Sequence, residues 1–198
     1  MKYLLKETLI PFLYLVFTAT MAFSILMIND SLIWLKALLC ALTLAIYACI
    51  VIVICEKEGE TAYKVLLEND AERLQIIKTG EDRPLRTKEE YKAWKGFVFG
   101  LFACVPLIVL LIANEILMAI NPDFVGAGVV MNFMYMTFGA FIRLDSTVTL
   151  TNIHNYFNLI TVVIIPLLTG IPYMLGAKKI RKQQEMVKEK HRQIYDKD

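Results

Sequence analysis

The chain has 198 residues, 57% of them hydrophobic, and a mean hydropathy of +0.54. That is more apolar than an ordinary soluble domain, whose apolar share is about 45–50%, and it places the chain in a bilayer. The formal net charge is only +2, from 21 Lys/Arg against 19 Asp/Glu. No basic stripe of the kind nucleic acid requires stands out, which excludes that class of partner.

The charges are unevenly spread. Residues 8–28, 37–55, 96–114, 124–142 and 155–177 carry none, and each run reaches about the 18 to 20 residues needed to cross a 30 Å hydrocarbon core. The first run follows Lys2 and Lys6. It passes Ala22, where a signal peptide would be cut, and continues to Ile28, longer than a signal core of about 7–15 residues. It is therefore expected to be a spanning helix. Asn29, Asp30 and Ser31 turn the chain into a second helix over 32–55, giving an antiparallel hairpin. Along that helix Ala37, Ala41, Ala45 and Cys49 recur every fourth residue, a row of small side chains expected to let another helix approach closely, within the chain in the favoured reading and from a second copy in the alternative.

Between Glu56 and Lys95 lie nine Lys/Arg and ten Asp/Glu. Tyr63, Leu66, Leu67, Leu74 and Ile77 share roughly one helical face, and Gly80 is placed to end that helix. Thr87 and Glu90 have capping-box spacing, which predicts a second helix from Lys88 running into the next span, with Tyr91 and Trp94 entering the headgroups. The third span, over 96–120, opens with Gly96 and Gly100 in a GxxxG pattern. Near its far end stands Glu115, nineteen steps from Gly96. That is roughly 28 Å along a helix, so Glu115 is expected at the membrane surface and not in the middle.

Counting basic residues decides the topology. Two precede the first span, nine lie in the 56–95 loop and eight follow Ala177, so 19 of the 21 share one side if four helices cross. The positive-inside rule makes that side cytoplasmic; a crossing by 124–142 would split the basic residues between both sides. The expected fold is thus an all-α integral membrane protein: a four-span helical bundle with an outer interfacial or re-entrant helix at 124–142 and a helical cytoplasmic loop. Its parts are a hairpin at 1–55, the loop at 56–95, a second pair at 96–177 with an outer insertion at 121–155, and a basic tail at 178–198. Both termini are expected to be cytoplasmic, in a plasma membrane of bacterial type.

Within the insertion, Gly128, Asn132, Tyr135 and Gly139 fall on one helical face and are expected to meet the bundle, with Phe133, Met134 and Phe141 turned to lipid. From Thr147 to Thr151 threonines alternate with Val148 and Leu150, which suggests a short extended piece before the last span. In the tail, Ile180, Val187 and Ile194 repeat at seven.

No GxSxG, HExxH, P-loop or dinucleotide glycine motif is present. His154 and His191 lie on opposite sides in the four-span arrangement and cannot share a metal. Cys40, Cys49, Cys55 and Cys104 form no CxxC pair and read as packing residues. No cofactor or metal is expected. The one polar set able to form a binding site is at the outer face: Glu115, Asp123, Arg143, Asp145 and His154. The favoured function is a non-enzymatic membrane subunit or scaffold that docks a protein partner, or a second copy, through the 56–95 loop and the tail. A small-solute carrier using the outer cluster is the alternative, and an enzyme acting at the outer surface is a second.

Overall fold

The computed structural model describes residues 2–28, 32–80, 84–121, 130, 133–140 and 159–195. The described residues form an all-helical bundle: α1 (Lys2–Leu26), α2 (Ile33–Thr79), α3 (Lys95–Ile120), a short α4 (Met136–Gly139) and α5 (Leu159–Tyr195). Four of them, all but α4, are long and apolar enough to cross a membrane.

The second helix does not stop where its apolar run stops. Across its 47 residues it has no proline and one glycine, Gly59, so nothing in the backbone breaks it at the change from apolar to charged sequence. It ends at Gly80, as the sequence suggests, in a left-handed conformation (φ 72°) with the Gly80 N–H donating to the Ile76 carbonyl at 2.8 Å. That region favours glycine because a side chain would meet the backbone. At 1.5 Å per residue α2 is roughly 70 Å long, more than twice a 30 Å hydrocarbon core. One face of it is buried from Lys36 as far as Asn69: Lys36, Cys40, Thr43, Tyr47, Val51, Cys55, Gly59, Ala62, Val65 and Asn69, spaced three or four apart.

This corrects the expected packing row. Ala37 is only half-buried, while Ala41, Ala45 and Cys49 are exposed within the chain. The buried row lies one residue to the side, because larger groups such as Tyr47 and Val51 fill the space between helices that alanines would leave empty.

α5 is the hub. In its apolar half it packs on α3, where Gly96 and Gly100 are buried. A Cβ at Gly96 would stand 2.6 Å from Tyr173 Cβ, and one at Gly100 would stand 2.5 Å from Pro166 Cα. Further on, α5 crosses α2 backbone against backbone. A Cβ at Gly59 would lie 2.0 Å from the Tyr173 carbonyl oxygen, and one at Gly176 would lie 2.0 Å from that of Glu56. Beyond this crossing both helices continue in the same direction, α2 to Thr79 and α5 to Tyr195, roughly 30 Å each. The result is a two-helix stalk projecting from one end of the bundle. At the opposite end, α1 turns into α2 and the buried Lys36 ammonium donates to the Leu26 carbonyl at 3.2 Å, meeting an end-of-helix acceptor.

Between the two ends, residues 133–140 are inserted beside α1 and α2 at the middle of their apolar lengths. Thr137 Oγ1 lies 3.0 Å from Thr18 Oγ1 and donates to the Leu15 carbonyl at 3.1 Å. Phe138 meets Tyr47 edge to face at 5.8 Å, and Met136 and Ala140 pack with Ala19, Ala22 and Cys40. Tyr135 and Gly139 are buried. Met134, expected towards lipid, instead packs against the core, and Phe133 is half-buried beside Phe23 at 5.7 Å. Gly128, Asn132, Phe141 and the threonine alternation at 147–151 lie outside the described residues.

Candidate functional site

The most elaborate polar construction among the described residues is at the base of the stalk. It begins with Asn69, which continues the buried α2 face one turn beyond Val65 and is 2% exposed. A buried amide needs partners, and the chain returning to α3 supplies them. Asn69 Nδ2 donates to Glu90 Oε1 at 2.7 Å, while Asn69 Oδ1 accepts the Arg86 N–H at 3.2 Å. Glu90 Oε1 also accepts from Arg73 at 2.5 Å, and Arg73 is held by Asp70 at 2.8 Å. Arg86 pairs with Glu68. The Tyr91 N–H donates to the Ala62 carbonyl at 3.0 Å. Residues 84–94 thus form a strap fastened along the stalk.

This replaces the expected capping box. Residues 87–90 form a turn and α3 starts at Lys95, because the Glu90 carboxylate is engaged by Asn69 and Arg73. Lys95 itself is 6% exposed, and its ammonium donates to the Lys88 and Glu90 carbonyls at 2.8 and 2.5 Å. Tyr91, expected at the headgroups, is part of an aromatic cluster. It stacks on Tyr173 at 5.4 Å and meets Tyr63 edge to face at 5.7 Å. Burial, with the neighbouring Tyr63 phenol adding to it, raises the Tyr91 phenol above its ordinary value and keeps it neutral. Trp94 is 54% exposed. Across the crossing, Lys179 pairs with Glu60 at 2.7 Å and Glu56 at 3.1 Å.

Further out, the stalk presents apolar surface. Leu74 and Ile77 on α2, and Met186 and Val187 on α5, are all more than half exposed. A groove of about 420 Å³ runs between the helices, with Leu67, Ile180 and Val187 in it and Lys64 and Lys188 beside it.

The expected outer cluster is not assembled by the described residues. Glu115 is exposed one turn before the end of α3; Asp123, Arg143, Asp145 and His154 lie outside them. Among the described residues no group of three or more His, Cys, Asp or Glu is placed to hold a metal ion. Cys40, Cys55 and Cys104 are buried and Cys49 is exposed, all as free thiols.

Sequence reasoning missed a second feature, in the centre of the bundle. Tyr47, Tyr135 and Cys104 are all fully buried within one core cluster. Neither phenol oxygen, nor Asn114 Oδ1, has a hydrogen-bond partner among the described residues. The available signal was Tyr135 itself, a polar aromatic in an apolar run on the face carrying Gly139. That it joins the same core cluster as Tyr47, far away in sequence, left no trace in either segment.

The fold and this geometry define an all-helical, multi-pass integral membrane protein in which α2 and α5 run on past their apolar lengths. No protein-family model, curated protein or solved structure matches the chain.

Proposed function

We propose that the protein is a non-enzymatic membrane subunit that docks a soluble partner on its stalk. The observation that carries this reading is the stalk's construction. Two helices leave the bundle together, joined at their glycine crossing and by Lys179 with Glu56 and Glu60, with a polar strap bonded along α2, and still leave Leu74, Ile77, Met186 and Val187 exposed. Exposed apolar side chains gathered on a rigid support are a mark of interaction surfaces. The stalk side is assigned to the cytoplasm because 19 of 21 Lys/Arg belong to the segments on that side. A bacterial plasma membrane is the corresponding location. Purification of the full chain from native membranes in mild detergent tests the reading. A stoichiometric soluble partner should accompany the wild type and be lost when Leu74, Ile77 and Val187 are all changed to Glu. A strictly monomeric chain with no companion contradicts it.

A second reading, a small-solute carrier, is supported by the Tyr47 and Tyr135 phenols at mid-depth, since transport sites lie near the midplane beside irregular backbone. Uptake of labelled solutes into proteoliposomes, abolished by Tyr135→Phe, would favour it over docking. The outer-surface enzyme has no comparable support.

A further inference from the structure

We infer that the stalk groove takes an amphipathic helix of a soluble protein whose apolar stripe is flanked by Asp or Glu. This rests on the docking reading and specifies its partner. The groove runs along two helices that extend in the same direction, and its apolar residues come from both. Ile180 and Val187 are seven apart on α5, and Leu67 faces the groove from α2. A cleft between two helices with apolar residues on both walls accepts the apolar stripe of a third helix.

Charge selects the occupant. Both ionisable residues lining the groove, Lys64 and Lys188, are cationic, and the α5 wall over 178–195 carries seven Lys/Arg against two Glu. A helix with carboxylates beside its apolar stripe would set them opposite these ammonium groups, the arrangement that governs partner choice at coiled-coil flanks. A second copy fits poorly. A twofold contact between two grooves would bring Lys64 and Lys188 against their own counterparts, and like charges across an interface are unfavourable. A lipid surface fits only the upper end, because Val187 lies roughly 17 Å along α5 from the Gly59 and Gly176 crossing.

The test uses the full chain in nanodiscs of zwitterionic lipid, with empty nanodiscs as control. The probe is a labelled synthetic helix of about three heptads with Leu at the a and d positions and Glu at e and g, alongside a twin with Lys at e and g. The Glu helix should bind about tenfold or more tightly than its twin, and Lys64→Glu with Lys188→Glu should reverse the preference. Both lysines are exposed, so the double variant keeps the fold, which circular dichroism verifies. Equal binding of the two helices, or a preference unchanged by the double variant, overturns the inference. A photo-crosslinking residue at Gln184 that yields a chain-to-chain adduct overturns it as well, by placing a second copy in the groove. The docking reading fails separately: it falls if no protein accompanies the chain from native membranes. If a companion does accompany it and is retained by the double lysine variant, docking stands and the acidic helix is rejected.

Discussion

Side chains decide where these helices meet, and the closest meeting is made by residues with none. At Gly59 and Gly176 an added methyl group would fall on a backbone carbonyl of the facing helix, which cannot rotate aside. Gly59→Ala and Gly176→Ala should therefore each destabilise the protein by about 1–3 kcal/mol, the usual cost of overpacking, seen as a lower melting temperature in detergent. Ala41→Leu, on an exposed face of α2, should change stability by less than about 0.5 kcal/mol. The opposite ranking would mean that α2 presents a different face to α5. A second test concerns Tyr135. The buried Tyr135 hydroxyl has no partner among the described residues, and an unsatisfied buried hydroxyl costs free energy, so Tyr135→Phe should leave stability unchanged or raise it by about 1 kcal/mol. A clear loss on thermal melting would show that the phenol has a partner beyond the described residues, and a water or solute in that role would strengthen the carrier reading. Thr137→Val, by contrast, removes bonds to Thr18 and the Leu15 carbonyl and should lower the melting temperature.

Among the elements, the strap over 84–94 has the sharpest consequence. Glu90→Ala leaves Asn69 short of a partner and Arg73 without its buried carboxylate, at a cost of about 1–3 kcal/mol. Amide exchange should then accelerate at Tyr91, whose N–H is held by the Ala62 carbonyl, while the apolar half of α3 stays protected. Unchanged exchange at Tyr91 would mean the carboxylate does not hold the strap. The same element shows where sequence stops being sufficient. The four long apolar helices and the Gly80 stop were legible because hydrophobic length and a left-handed terminus are local properties. The capping box was misread because Glu90 satisfies that spacing equally well whether it caps a helix or binds Asn69, 21 residues earlier, and only tertiary contact decides. The alanine row does not pack within the chain, for a related reason. Alanine suits a helix interface and a lipid-facing surface alike, so its period indicates helix without indicating direction. Of the outer cluster only Glu115 falls among the described residues, and it stands exposed.

At the scale of the whole molecule, the bundle and the stalk are one continuous structure. α2 and α5 each pass from apolar to charged sequence without a break, so a partner held by the stalk would act on the same helices that pack in the membrane. The aromatic group of Tyr63, Tyr91, Tyr173 and Phe99 and the Lys179 pairs with Glu56 and Glu60 fasten the place where the two regions join. The most direct measurement is the sidedness of three introduced cysteines, at Gln75, Gln184 and Asn121, against an impermeant thiol reagent in intact and permeabilised cells. The stalk requires Gln75 and Gln184 to behave alike, and with a cytoplasmic stalk both react only after permeabilisation while Asn121 reacts from outside. If Gln75 and Gln184 react from opposite faces, α2 and α5 do not leave the bundle together, and both the stalk and the docking function assigned to it are contradicted.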